Sequence, residues 1–243
     1  MSKFFIPKEN ISTDNLIITG EDVKHINKVL RMGVGDEITC CDGRGNDYKA
    51  RISSVGTEIT CEIIEKKKCD TESNIHVILI QGVPKASIMD YIIDKTTELG
   101  ICDIYPCEMS RCVSKIDGDK KIQRWQKISE AAAKQSGRGI IPKIHNPISV
   151  SDAVEILKSC DIAFVPYECA EEKFLKPLLT SFNNPKTVAF MIGPEGGFDK
   201  TEIEKLGDIP IVSLGKRILR TETAGEAVLS MVMYEIGDIN GNM

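Results

Sequence analysis

From residue 75 onward the chain repeats one unit: a short, nearly unbroken apolar run, then a stretch whose apolar residues recur every three or four positions. The first run is IHVILI at 75–80, and Met89, Ile92, Ile93, Thr96 and Leu99 follow it at helical spacing. A strand without a polar face must be covered on both sides, and parallel strands joined by crossover helices achieve this. The same grammar predicts further buried strands over 104–107, 161–165, 187–192 and 209–214, and helices near 120–137, 150–158, 199–206 and 223–236. This part reads as an α/β domain with a mostly parallel sheet.

The first 65 residues have a different pattern. Segments 4–6, 37–41, 48–55 and 57–64 are short, partly alternating and rich in Ile, Val and Thr, as half-buried strands are. One helix interrupts them after Gly20, with Val23, Ile26, Val29 and Leu30 expected on one face and an end near Gly33 and Gly35. Residues 42–46, DGRGN, form a tight turn expected to face solvent. A small β-barrel-like domain closes this pattern most simply. The polar stretch KKKCDTESN at 66–74 separates the two grammars, giving domains over 1–70 and 75–243, and 243 residues suit one small and one larger domain.

Net charge is −5, from 31 basic and 36 acidic residues, but its distribution is uneven. Residues 75–145 carry 11 basic and 8 acidic groups, and are the one basic segment. A negative chain argues against a free, non-specific nucleic-acid-binding module. No apolar run approaches the roughly 18 residues of a membrane span, and the N-terminus has no export signal, so the expected location is cytoplasmic. Nine cysteines without a C-x-x-C pair read as reduced thiols. The spacing of Cys102, Cys107 and Cys112 matches no common zinc pattern, and no metal is expected. His25, His76 and His145 have no partner at catalytic or metal spacing, and no Ser or Cys lies in a nucleophile elbow.

Ligands of parallel sheets bind where strands end and loops lead into helices. Three such loops stand out: Gly193-Pro194-Glu195-Gly196-Gly197-Phe198, Leu214-Gly215-Lys216-Arg217-Ile218-Leu219-Arg220, and Val165-Pro166-Tyr167-Glu168. The first lacks the G-K-[ST] of a phosphate loop, and Glu195 at its centre would repel a polyanion. A carboxylate beside close-approaching backbone suits a ligand with a positive centre, such as the sulfonium of S-adenosylmethionine; the same turn also serves as a plain strand-to-helix connection. Thr223 and Glu226 have capping-box spacing at the start of the last helix, whose expected stripe is Ala227, Val228, Met231 and Val232. Arg220, just before that cap, is the best catalytic candidate, since a guanidinium beside a helix N-terminus can hold an oxyanion. Lys216 also reads as a solvated surface charge. In the middle segment, Ile122, Trp125, Ile128 and Ala132 form a buried stripe and Gly137 an ordinary helix end. Lys134 and Arg138 near it read equally well as dipole partners or as phosphate contacts.

Five stretches occur in one order: QGVPKASIMDYIIDKTTELG at 81–100, RW at 124–125, EAAAKQSGR at 130–138, IGPEGGF at 192–198 and LGKRILRTETA at 214–224. Together they resemble the ribosomal RNA small subunit methyltransferase E family, bacterial enzymes of the SPOUT class, over essentially the whole chain. The resemblance implies an N-terminal PUA-like barrel for RNA and a C-terminal α/β domain with a deep trefoil knot that binds S-adenosylmethionine. It implies methylation of N3 of uridine 1498 of 16S ribosomal RNA by a homodimer acting on the small subunit.

Arg220 would then stabilise the negative O2–N3–O4 system of the deprotonated base, with no dedicated general base. The implied cofactor bed is Val165, Pro166, Ile192, Gly193, Glu195, Gly196 and Gly197, with Leu214, Gly215, Ile218, Leu219 and Thr223. Implied RNA contacts are Lys3, Arg31, Lys85, Lys134, Arg138 and Arg217. Lys3 stands where the family usually has Arg, which keeps a point charge but loses the bidentate fork. Rival readings are a SPOUT enzyme for another ribosomal or transfer RNA position, a non-catalytic RNA-binding assembly protein, and a nucleotide-dependent enzyme using the glycine loop.

Overall fold

The computed structural model describes residues 3–114, 116, 118–170 and 173–239. The chain forms two compact units, Met1–Glu72 with Ala133–Ile141 and Ser73–Ala132 with Pro142–Met243.

The first unit holds β1 (Lys3–Phe5), β2 (Asn15–Ile18), β3 (Glu37–Cys41), β4 (Asn46–Val55) and β5 (Ile59–Lys68) in the order β1-β3-β4-β5-β2. β1 runs parallel to β3 and the other pairs are antiparallel. Two-residue alternation builds the core: Tyr48, Ala50 and Ile52 of β4 are buried while Lys49, Arg51 and Ser53 are exposed. β2, absent from the sequence expectation, adds Leu16 and Ile18 to that core. The helix after Gly20 begins as α1 (Glu21–Lys24) and widens into a π-helix over His25–Leu30. Bonding from i to i+5 rotates later residues off a stripe spaced for 3.6 per turn. Val29, expected inside, is consequently 64% exposed and Leu30 38%.

In the 42–46 turn Gly43 and Gly45 take positive φ, and Asp42 Oδ1 accepts the Arg44 and Asn46 amides at 2.9 and 3.1 Å. The turn does not face solvent throughout. The Gly45 amide donates to Gly139 O at 3.2 Å and Arg44 bridges Ile140, so only Arg44 is exposed.

Three expected RNA contacts are spent inside this unit. Lys3 is buried with its Nζ 3.0 Å from Asp47 and 3.3 Å from Cys69 Sγ. Arg138, 4% exposed, pairs with Glu72 at 2.7 Å, and Glu72 also accepts the Gly139 and Ile140 amides. Lys134 pairs with Asp22 at 3.3 Å. These cations answer buried or half-buried carboxylates, whose desolvation demands a partner.

The second unit runs β6 (His76–Gly82), α2 (Ala86–Glu98), β7 (Asp103–Glu108), α3 (Asp119–Ser136), β8 (Lys143–Ile144), β9 (Ile148–Ser149), α4 (Val150–Lys158), β10 (Ile162–Pro166), α5 (Leu175–Thr180), β11 (Thr187–Ile192), α6 (Lys200–Lys205), β12 (Ile211–Val212) and α7 (Thr221–Glu235). Its sheet is parallel with order β12-β10-β11-β6-β7-β8, and β9 also pairs β7. Alternation along β11 splits the core in two. Val188, Phe190 and Ile192 join α2, α5 and α7 on one face, while Ala189 and Met191 join α4 on the other.

Trp125 of α3 is fully buried, as expected, with Nε1 donating to Asp90 at 3.1 Å. The expected strand over 209–214 contracts to β12 at both ends: Pro210 has no amide to donate, and the Ser213 amide turns to Lys173 O at 2.6 Å. β8, β9 and α5 are too short to show a period. α7 starts at Thr221 with Arg220 as N-cap and no side-chain cap bond, so the Thr223–Glu226 capping box does not form. The buried stripe also differs from the expected one: Leu229 and Met233 are buried beside Val228 and Val232, whereas Met231 is 43% exposed.

Two of the three histidines meet after all, at the amino ends of β6 and β7. His76 Nε2 lies 2.6 Å from Asp103 Oδ2, His145 Nε2 contacts Oδ1, and Tyr105 stacks on His145 at 3.8 Å. All nine cysteines are free thiols. No helix among the described residues is long and apolar enough to cross a membrane.

Two outcomes follow from these internal charges. Lys3→Met strands Asp47 inside the first unit and is expected to cost about 3–5 kcal/mol in urea unfolding, while adding Asp47→Leu recovers most of the loss. Hydrogen bonding with Cys102, with the Asp103 carboxylate beside it, raises His76 to about 9. The protonated imidazole is thus favoured by folding: its stabilisation is complete below the ordinary pKa of 6.5 and is lost as pH rises through about 9. Melting temperatures at pH 6 and pH 10 should therefore converge in His76→Gln relative to the parent.

Candidate active site

The carboxyl ends of β10, β11 and β12 lie side by side, so the three loops singled out by sequence converge. Between them opens a cleft of about 500 Å³, lined by Pro166, Glu168, residues 192–198, residues 218–222 and Ala224. A smaller hollow of about 80 Å³ adjoins it and adds Tyr167, Leu214, Gly215 and Arg217. Pro166, Glu168, Ile218 and Leu219 line both.

The glycine loop is held from several sides. Arg111 Nη1 donates to Gly196 O at 3.1 Å and Nη2 lies 3.5 Å from Asp199. Asp199 caps α6; the Thr201 amide on its carboxylate holds that group below its ordinary pKa. The capping box closes through Glu202, buried at 3%, whose other oxygen accepts the Ser110 amide at 2.7 Å. Phe198 is buried and meets Tyr167 edge-on at 6.1 Å. At the end of β6 only glycine fits, since a Cβ on Gly82 would stand 2.7 Å from the backbone nitrogen of Pro194.

A buried hydrogen-bond bridge joins the glycine loop to the start of α7. Gln81, fully buried at the carboxyl end of β6, donates through Nε2 to Thr221 Oγ1 at 2.9 Å and to Gly82 O at 2.9 Å. The Thr221 hydroxyl donates onward to Gly193 O at 2.6 Å. This bond holds Thr221 in the first turn of α7 and leaves Arg220 as the N-cap at the cleft wall. Arg220 is exposed and has no acidic partner among the described residues. Glu195, by contrast, lines the cleft while its Oε1 accepts the Lys85 amide at 3.1 Å, ahead of α2. The cleft therefore combines close-approaching backbone, apolar Ile192, Ile218 and Leu219, the carboxylates of Glu168, Glu195 and Glu222, and one unpaired guanidinium.

An RNA methyltransferase domain matches residues 71–233 and an RNA methyltransferase PUA domain residues 18–66. The chain is 34% identical to Ribosomal RNA small subunit methyltransferase E of Bacillus subtilis (strain 168), covering all of both chains. It is 35% identical to that of Mesomycoplasma hyopneumoniae (strain 232) over 95% of this chain and 98% of the relative. The crystal structure of Ribosomal RNA small subunit methyltransferase E from Neisseria gonorrhoeae bound to S-adenosyl methionine superposes with a TM-score of 0.87 at 31% identity, covering 98% of this chain and 99% of the other. The chain belongs to the ribosomal RNA small subunit methyltransferase E family. Its fold is accordingly a SPOUT-type α/β unit with a PUA-like unit before it.

In this family member the cleft gathers most of the sequence-derived cofactor bed. Pro166, Ile192, Gly193, Glu195, Gly196, Gly197, Ile218 and Leu219 line the main cleft beside Arg220, and Leu214 and Gly215 line the hollow. Val165 is fully buried behind the wall in the sheet core. Thr223 points elsewhere, lining a separate cavity with Lys95, Glu98 and Glu226. Of the expected RNA contacts, Arg31, Lys85 and Arg217 are exposed, in contrast to Lys3, Lys134 and Arg138. Sequence reading missed Gln81, Thr221, Arg111 and Glu202. Gln81 did carry a signal: a long amide closing an otherwise apolar run must find buried partners.

Thr221→Val should leave Gln81 Nε2 and Gly193 O without their shared hydroxyl, at a cost of about 1–3 kcal/mol, and should weaken cofactor affinity measured by calorimetry. Thr221→Ser keeps the hydroxyl and should restore most of both.

Proposed function

We propose that this protein transfers the methyl group of S-adenosylmethionine to N3 of uridine 1498 of 16S ribosomal RNA in the small subunit. The reading rests on one observation above all: the unpaired Arg220 stands on the wall of the same cleft as the glycine loop and the 214–219 loop. The donor set suits the cofactor. Carboxylates of Glu168 and Glu195 match a cationic sulfonium, and Ile192, Ile218 and Leu219 offer apolar surface for a flat purine. Bound there, the cofactor supplies an electrophilic methyl group on sulfur.

The chain's own groups supply the rest. Uridine N3 bears a proton and attacks only as the imide anion, so the protein must favour that anion and align it. The Arg220 guanidinium, beside the free amides at the start of α7, would hold the negative O2–N3–O4 system. The bed proposed for the cofactor comprises Pro166, Ile192, Gly193, Glu195, Gly196, Gly197, Leu214, Gly215, Ile218 and Leu219. The exposed cations proposed to meet RNA are Arg31, Lys85 and Arg217.

The family reading also carries three features into the proposal: division into an RNA-binding barrel over 1–70 and a methyltransferase domain over 75–243, a deep trefoil knot in the latter, and a cytoplasmic homodimer. Tyr91, Met231 and Tyr234, at 45%, 43% and 64% exposure on α2 and α7, are consistent with a second copy covering that face.

Small subunits from cells lacking the gene, incubated with the protein and labelled cofactor, should gain N3-methyluridine at position 1498 by mass spectrometry; a product elsewhere would favour another RNA position. Arg220→Ala should lower the single-turnover rate about 10²–10³-fold at saturating RNA, with cofactor affinity within a few-fold of the parent. An unchanged rate would remove Arg220 from the chemistry.

A further inference from the structure

The first unit contains a cleft of its own, about 610 Å³, that none of the expected contacts occupies. Its rim carries Lys8, Arg44 and Lys66, all exposed. Among the described residues Lys8 and Arg44 form no ion pair. Pairing of β4 with β5 sets Tyr48 opposite Lys66 and places the Lys66 ammonium 5.4 Å from the ring centroid. The ring is itself buried, so it forms floor rather than a stacking platform.

Asp42, the acidic residue of the lining, offsets one of the three positive charges and leaves the rim net positive. Its Oδ1 accepts the amides of Arg44 and Asn46, and its Oδ2 accepts Asn46 Nδ2 at 2.6 Å. Burial would raise its carboxyl, but the Asn46 side chain, the Arg44 and Asn46 amides and the nearby Lys66 charge together hold it below the usual range. The carboxylate is committed to the turn that presents Arg44. What remains is an open cleft with three exposed cations and one carboxylate at its rim, a net positive patch in a chain whose net charge is −5.

We propose that this cleft binds RNA phosphates, with Lys8, Arg44 and Lys66 as the contacting cations. The inference rests on the reading of the chain as a ribosomal RNA methyltransferase and supplies the barrel with the contacts that buried Lys3 and Arg138 do not make. An anionic backbone fits better than a small anion, because three exposed cations around an open cleft offer no enclosed pocket. Phosphate contacts of this kind fix position and carry no sequence information.

The test compares the full chain with Lys8→Ala/Arg44→Ala/Lys66→Ala by filter binding of radiolabelled 16S ribosomal RNA between about 50 and 200 mM salt. Each lost contact removes roughly 0.7–0.9 from the slope of log affinity against log salt, so the triple variant should lose about 2.1–2.7 and bind at least tenfold more weakly. Its cofactor affinity by calorimetry and its rate at saturating RNA should equal the parent's. Lys24→Ala/Lys28→Ala/Lys49→Ala removes the same charge from elsewhere on this unit and should change the slope little.

An unchanged slope in a parent that methylates ribosomal RNA overturns the cleft alone. Equal losses in the two triple variants overturn it too, as a mere net-charge effect. Polyglutamate competing as well as RNA would assign the cleft to an acidic protein. A parent that neither binds nor methylates the RNA overturns both the cleft and the reading beneath it.

Discussion

The Thr221 hydroxyl is the point at which distant parts of the α/β unit are made into one wall. It accepts from Gln81 at the end of β6 and donates to Gly193 in the loop after β11, while its own backbone opens α7. Because both neighbours are buried, neither can exchange its bond for one to water, and the arrangement is kept by the cost of breaking it. The position of Arg220 follows. If α7 began three residues later, as a capping box at Thr223 would require, Arg220 would lie in the loop rather than at the helix N-cap. A threonine doing tertiary work has displaced the local capping solution, and the first turn of α7 is tied to the sheet instead of to itself.

That outcome explains which parts of the fold could be read directly. The buried runs over 104–107 and 187–192 were legible because a two-sided strand leaves no room for polar residues, and β11 shows it: alternate side chains feed two separate cores. The 150–158 helix was legible in full, since Ser149 and Asp152 close a local capping box. Where length or chemistry removes the period, legibility fails. β8 and β9 have two residues each, β12 is cut short at Pro210, and the π-helix over His25–Leu30 breaks the 3.6 spacing that had placed Val29 inside.

The site divided along a similar line. Glycine and proline announce backbone geometry, so the loop at 193–198 was found from composition and spacing alone. Cations announce nothing about direction. Lys3, Lys134 and Arg138 look like any RNA-facing cations in sequence, yet their partners Asp47, Asp22 and Glu72 lie 44, 112 and 66 positions away. The same separation hid the meeting of His76 and His145 over Asp103, which parallel pairing brings to one edge of the sheet. Charge placement is a property of the folded contact map, which neither residue spacing nor the family resemblance anticipated for these three.

Net charge can now be given a physical meaning. Part of the chain's excess of acid is spent inside the fold, so the rim of the first unit's cleft stays net positive with three cations against one carboxylate. Asp42 is committed to its own turn, Asp47 to Lys3 and Glu72 to Arg138 and two amides. A small number of uncancelled cations on an acidic chain gives weak attraction to nucleic acid in general, since affinity for phosphate grows with the number of contacts made together. On the proposed function, binding would then depend on a target whose shape satisfies those contacts together, as a folded ribosomal RNA can and an arbitrary strand cannot.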